Sequence, residues 1–131
     1  MEYKTYKLDF GWEICVPEGW KMEKKELGSF FFYPDDPEDE TTIYASALHA
    51  EDHQILTPEY VMRAAFEKSI PEHAQEVGII TSVHCKAYFH LGTDGSYTIG
   101  AGYFTDGDLL SLNVYATDET TARAAASGFG N

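Results

Sequence analysis

The sequence predicts an α+β domain in which an antiparallel sheet of about six strands carries two helices. Alternating apolar residues predict strands, two segments with helical spacing predict helices, and Thr-Asp-Gly at 93–95 and 105–107 predicts tight turns. The resulting order is strands, a helix, a three-stranded meander and a second helix. Because adjacent apolar pairs occur in several strands, we expect one helix on each face, as in a three-layer α/β/α sandwich. A two-layer fold with both helices on one side is the alternative.

Length, composition and charge set the broad class of protein. The chain has 131 residues, 44% hydrophobic and 15% aromatic, so we expect a single domain spanning 1–131 with a substantial core. Lysine and arginine number 9 against 22 acids, and the net charge of −13 predicts no nucleic-acid partner. No apolar run approaches the roughly 20 residues of a membrane helix, and MEYKTYKLDF lacks the apolar stretch of a signal peptide. We therefore expect a soluble, cytoplasmic protein with no membrane partner.

The first half of the chain is rich in strand signals. Apolar residues occupy alternate positions from Leu8 to Val16, which predicts one face of a strand, with Gly11 as a bulge or as a turn between two strands. The run 29–33 is continuously apolar and predicts a strand covered on both faces. Two prolines and five acids make 34–40 a loop, and 41–48 is the next strand.

Two helices follow from capping residues and apolar stripes. Thr57, Pro58 and Glu59 predict a helix start with Thr57 as the cap, and Pro71 predicts its end after about 13 residues. Its stripe is Met62, Ala65, Phe66, Ser69 and Ile70. In the second helix Thr117 or Asp118 is the cap and Gly128 the terminator. Its stripe is Ala122, Ala125, Ala126 and Phe129.

The meander between the helices is predicted from 79–91, 97–105 and 109–116. Its turns are 92–96 and the Asp106-Gly107 pair, because a tight hairpin turn needs positive φ. Gly100-Ala101-Gly102 lies within the middle strand and predicts a bulge or the close approach of a neighbouring element.

The corner formed by Pro17, Gly19 and Trp20 after the opening strand, together with this order of elements, resembles the PsbP-like superfamily. That superfamily includes the photosystem II extrinsic subunit, a eukaryotic Ran-binding nuclear import factor and bacterial DcrB-type proteins. The resemblance covers nearly the whole chain in element order, and in residues it rests on that Pro-x-Gly-Trp corner. It implies a small binding or adaptor domain without catalysis, because its members mostly dock to larger partners.

Motifs that carry catalysis are few. The sequence contains no dinucleotide fingerprint, no P-loop, no nucleophile elbow and no His-Glu-x-x-His, so we expect no enzyme activity and no cofactor. His49 and His53 flank two acids and provide the alternative of a small metal-dependent hydrolase with a distant carboxylate as third ligand. A further alternative is an apolar ligand held between the sheet and the first helix, against Met62 and Phe66.

The two cysteines, Cys15 and Cys85, are too far apart in sequence for a zinc knuckle or a redox motif. In a cytoplasmic protein we expect both to be reduced thiols. A single disulfide between two strands remains an open alternative.

Segregated negative charge is the most distinctive feature of the sequence. Between Phe30 and Glu59 there are eight acids, Glu59 included, and no lysine or arginine. Such a stretch either keeps the protein soluble or attracts a basic partner surface and speeds its association. We predict that a protein partner with a basic surface is bound by the loop acids Asp35, Asp36, Glu38, Asp39 and Glu40.

Overall fold

A seven-stranded antiparallel sheet is the centre of the fold. A computed structural model describes residues 2–68, 75–76, 85–91 and 97–127. The spatial order of the strands is β3-β4-β5-β11-β10-β9-β8, one strand more than the six or so that were predicted. Their bounds are β3 (Lys21–Glu26), β4 (Ser29–Tyr33), β5 (Thr42–His49), β8 (Gln75–Glu76), β9 (Cys85–Leu91), β10 (Tyr97–Thr105) and β11 (Asp108–Ala116). The α+β class and the order of elements are confirmed.

Two helices lie on opposite faces of this sheet: α1 (Glu59–Lys68) and α2 (Glu119–Ala126), and both contact β10 and β11. In β10, Ala101 belongs to the apolar cluster of α2, whereas Phe104 belongs to the cluster formed with Met62 and Phe66 of α1. Residues an odd number of positions apart point to opposite faces of a strand. The three-layer arrangement is therefore confirmed; the two faces are called the α1 face and the α2 face below.

A separate hairpin covers the α2 face, and here the strand prediction was partly wrong. It consists of β1 (Tyr3–Lys7) and β2 (Glu13–Pro17), which pair only with each other. A 3₁₀ turn at 9–11 separates them, with Phe10 at φ 59° and Gly11 at φ 82°. The predicted single alternation is thus broken, and Phe10 is exposed instead of sharing the buried face. Gly11 acts as the turn between two strands, one of the two roles predicted for it.

The continuously apolar run of β4 is buried on one face and half-buried on the other. Phe30 and Phe32 are buried in the α2-face core, but Phe31 and Tyr33 are half-buried on the α1 face. The predicted cover on both faces is therefore complete on one face and partial on the other, since the described part of α1 packs mainly on β10 and β11. The strand β3 was not predicted at all, since its sequence KMEKKE is polar and all six residues are exposed.

Helix α1 is described from Glu59 to Lys68 and is capped differently from the prediction. Its first amide, the N–H of Glu59, donates to Asp106 Oδ1 at 2.8 Å, so the cap comes from the β10–β11 turn and not from Thr57. Of the predicted stripe, Met62 and Phe66 are buried and Ala65 is exposed. The predicted positions 69–71 lie outside the described residues, as do 79–84 and 92–96 of the meander.

Helix α2 agrees closely with its prediction. Asp118 accepts from the backbone N–H of Thr121 at 2.7 Å and from the Thr121 hydroxyl at 2.8 Å, which is an N-cap. The predicted alanines of its stripe that the structure describes are all buried: Ala122, Ala125 and Ala126. Phe129 and Gly128 lie outside the described residues. Within the described ranges, neither helix has the length and apolarity that a bilayer crossing requires.

Two smaller elements complete the description. The short strands β6 (Glu51–Asp52) and β7 (Ile55–Leu56) form a two-stranded ribbon between β5 and α1.

In β10, Gly102 lies directly under the ring of Phe66, so that a Cβ there would be 2.7 Å from ring atoms. The predicted close approach at the Gly-Ala-Gly triplet is therefore confirmed, and the β10–β11 register is unbroken.

Candidate partner-binding surface

The acidic loop 34–40 joins β4 to β5 and is held by its own polar groups. Asp36 accepts from the backbone N–H of Glu38 through Oδ1 at 3.0 Å, and its carbonyl accepts from the N–H of Asp39. Asp39 Oδ1 in turn accepts from the N–H of Thr41 at 3.0 Å. Aspartate side chains that bond to the backbone two residues on form local turns. The loop therefore presents its carboxylates in a defined arrangement, on the segment where the sequence predicted the partner contact.

An open groove of about 410 Å³ lies between this loop and the neighbouring edge of the α1 face. The side chains of Phe31 and Tyr33 form its apolar side, with ring centroids 5.7 Å apart. Lys25 lies over the ring of Phe31, 5.8 Å from its centroid. The groove is lined by Lys21, Phe31, Tyr33, Asp35, Asp36 and Asp39, together with both prolines of the loop. We call this feature the aromatic groove.

One of the five loop acids is neutralised by a residue that the sequence does not place near it. Lys21 of β3 pairs with Asp35 at 2.9 Å, and this hydrogen bond with the carboxylate raises the pKa of Lys21. Within the described residues, no cationic group lies within ion-pair distance of Asp36, Glu38, Asp39 or Glu40. These four acids retain their charge toward solvent and carry the negative potential of the loop.

The histidines predicted as alternative metal ligands, His49 and His53, have different surroundings, and His49 contacts two carboxylates. His49 Nδ1 lies 2.8 Å from Asp108 Oδ1, and its Nε2 lies 3.6 Å from Glu51 Oε2. The hydrogen bond with Asp108 raises the pKa of His49, and Glu51 adds to this. His53 lies in the turn between β6 and β7 with φ 50°. Among the residues that the structure describes, no group of three His, Cys, Asp or Glu side chains is placed to hold a metal ion.

Two further candidate features are the cysteines and the space between the sheet and α1. Cys15 is a free thiol, half-buried, with its Sγ 3.3 Å from the hydroxyl of Thr5. The side chain of Cys85 lies outside the described residues. Between the sheet and α1, the ring of Phe66 occupies the space above Gly102 and packs against Phe104 at a centroid distance of 6.1 Å. The position proposed for an apolar ligand is thus filled by protein side chains there.

Sequence reasoning identified the acids of this surface but missed its aromatic side. The signal was present in the run 29–33, whose second and fourth aromatics point away from the core that buries Phe30 and Phe32. No feature of the sequence indicates that Lys21 lies near this loop, because its position depends on the pairing of β3 with β4, where Lys21 is opposite Tyr33.

Fold and surface together define an α+β protein built on an antiparallel sheet, with an acidic loop beside an open aromatic groove. No family model matches the chain, and no curated protein matches it. A protein from Bacteroides thetaiotaomicron VPI-5482, known from a crystal structure at 1.50 Å resolution, has a similar fold with a TM-score of 0.63. It is 16% identical, and the match covers 98% of this chain and 47% of that chain. The chain spans about half the length of this neighbour, and the likeness shows the fold alone.

Proposed function

We propose that this protein is a non-catalytic binding or adaptor domain of the PsbP-like kind that docks a protein partner with a basic surface. The observation that carries the proposal is that two acids without an ion-pair partner among the described residues, Asp36 and Asp39, share one groove with the half-buried rings of Phe31 and Tyr33. Interfaces of this type combine charge, which steers the encounter, with aromatic contact area, which holds the partner. A cytoplasmic location, in which the thiol of Cys15 stays reduced, is part of the proposal.

In this binding mode the two sides of the groove have different tasks. The carboxylates of Asp36 and Asp39 attract lysine and arginine side chains of the partner before contact is made. Phe31 and Tyr33 then contribute apolar area, because both line the groove and are only half-buried. We expect the loop to govern the association rate and the aromatic side to govern dissociation.

The test compares two variants with equal net charge. In the loop variant, Asp36→Asn, Glu38→Gln, Asp39→Asn and Glu40→Gln remove four charges and change the net charge from −13 to −9, since −13 + 4 = −9. In the control variant, four exposed acids elsewhere are replaced by glutamine, with the same arithmetic: Glu2, Glu13, Glu26 and Glu67. Association with a fluorescent lysine- and arginine-rich peptide is then followed by stopped flow from low to physiological salt.

We expect the loop variant to associate about tenfold more slowly at low salt and to lose most of its salt dependence, because steering by a local field falls with screening. The control variant should stay within about twofold of the wild-type rate, since its charges lie away from the groove. Equal slowing of both variants would mean that the loop is not the binding surface and that only the net charge of the protein affects the association rate.

A further inference from the structure

A second cavity opens on the other side of the acidic loop. It has a volume of about 200 Å³ and lies between the Pro-x-Gly-Trp corner, the loop and helix α2. It is lined by Pro17, Trp20, Asp39, Thr120, Thr121 and Ala124. Ligand pockets for whole small molecules measure roughly 300–1,000 Å³, so this cavity has the size for one long side chain. We call it the Trp20 pocket.

The walls of the Trp20 pocket are fixed by contacts between three parts of the chain. Trp20 is half-buried against the α2-face core, and its carbonyl accepts from the hydroxyl of Tyr6 at 3.1 Å. The hydroxyl of Tyr3 donates to the carbonyl of Ala124 at 2.9 Å, which ties α2 to the hairpin beside it. Asp39 is held by the N–H of Thr41. A site with held walls loses little conformational entropy when it is filled.

Charge decides which ligand suits this pocket. Its lining includes the carboxylate of Asp39 and no lysine, arginine or histidine. The N-terminus of α2 would otherwise attract an anion, but Asp118 already caps it by accepting from the N–H and hydroxyl of Thr121. Asp118 adds negative charge at this helix end, whereas Glu119 is paired with Arg123 at 3.1 Å, so the carboxylates of Asp39 and Asp118 make the pocket favour a cation.

The chemistry of the lining residues favours arginine over lysine. A tryptophan face is the strongest aromatic partner for a cation, and a planar guanidinium stacks on it while its N–H fork reaches a carboxylate. Asp39 uses Oδ1 for the N–H of Thr41, and a carboxylate has acceptor sites for about four donors, so it can also accept from a guanidinium. We propose that the Trp20 pocket binds a single arginine side chain of the protein partner. This rests on the proposed function, because the same loop forms both sites.

The experiment uses N-acetyl-arginine amide as the probe and follows backbone amide shifts of the intact protein by NMR. We expect saturable shifts at Thr120, Thr121 and Ala124, with a Kd on the order of 1–10 mM for one isolated side chain. The neutral analogue N-acetyl-citrulline amide has a similar shape and should give no saturable shift. Saturation by citrulline, or by inorganic phosphate in place of arginine, would overturn the proposal.

A matched pair of variants tests the role of Asp39. Asp39→Asn should weaken binding of the probe about tenfold, because a hydrogen bond to a charged group is lost while the Asn oxygen can still accept from Thr41. Asp36→Asn removes the same charge from the same loop but lines only the aromatic groove, so its Kd should stay within about twofold. Equal weakening by both variants would mean that the probe responds to the overall negative charge of the loop and does not bind a specific site at Trp20.

Failure of this inference can be told apart from failure of the proposed function. Suppose that the association rate of the basic peptide depends on the loop but the arginine probe gives no shifts at α2. Arginine binding in the Trp20 pocket is then wrong, and docking of a basic partner at the loop is supported. If the probe saturates the pocket and only Asp39→Asn weakens its binding, the Trp20 pocket is an arginine site. This conclusion holds even if the association rate of the peptide does not depend on the loop.

Discussion

The two faces of the main sheet differ in how completely they are covered, although they are made by alternate residues of the same strands. On the α2 face, the β1–β2 hairpin and α2 bury large side chains such as Phe32, Ile43 and Val114 to 0% exposure. On the α1 face, within the described residues, helix α1 packs on β10 and β11 with a small cluster around Phe66. Most of the buried residues that the structure describes therefore lie on the α2 face, and part of the α1 face is only half-buried.

The uncovered part of the α1 face retains aromatic residues that a purely solvated surface would not need. Phe31 is paired with Tyr44 across β4 and β5, and both are half-buried. Further along the same face, Tyr115 of β11 is 44% exposed. Exposed apolar patches with a polar rim are typical of interaction sites. In β4 and β5, strand alternation thus separates the residues of the buried core from the aromatic residues of the proposed groove.

The largest expected effect compares two neighbouring phenylalanines. Phe32→Ala removes a ring that is 0% exposed and should lower the free energy of unfolding by about 3–5 kcal/mol. Phe31→Ala removes a half-buried ring on the α1 face and should cost about 1 kcal/mol, near half the transfer free energy of a buried phenylalanine. Urea denaturation of both variants measures the difference. Similar losses would mean that the α1 face contributes to the core as much as the α2 face does.

An intermediate effect is expected where α1 meets the sheet. Gly102→Ala places a Cβ 2.7 Å from the ring of Phe66, and such overpacking should cost about 1–3 kcal/mol. In a Phe66→Ala background the added methyl group has room, so the same substitution should cost much less. The four proteins form a double-mutant cycle measured by denaturant unfolding. Additive losses would show that the helix does not press on the sheet at this point.

The smallest effect concerns the rim of the α2 face, where Phe10 stacks on His49 at 5.5 Å between ring centroids. Because the hydrogen bond with Asp108 raises the pKa of His49 above its ordinary 6.5, protonated His49 stabilises the folded state. This stabilisation is fully present below pH 6.5 and is lost as pH rises through the raised pKa. We expect the Tm advantage of the wild type over His49→Gln to shrink over that interval.

The titration itself is measured by NMR of the His49 ring in the wild type and in Asp108→Asn. The variant should titrate at a lower pH, because it lacks the carboxylate that holds the proton. A wild-type His49 that titrates at or below its ordinary value would contradict the contact with Asp108.

Local signals in the sequence were sufficient for much of the fold. The cap at Asp118, the alanine stripe of α2 and the Asp106-Gly107 turn, with Gly107 at φ 81°, depend on residues a few positions apart. The same applies to the acidic loop, whose prolines and acids exclude it from a core. Strand alternation failed where Phe10 takes a left-handed conformation in the 3₁₀ turn, because periodicity carries no information on backbone φ.

The α+β class, the order of the elements and the position of the negative loop could all be predicted from the amino-acid sequence. Three contacts became visible only in the folded chain: Lys21 pairs with Asp35, Asp106 caps α1, and Asp39 shares a pocket with Trp20. The physical reason is that each of these contacts joins residues distant along the chain. Their meeting depends on which strands pair and which face a helix covers, and no local propensity encodes either.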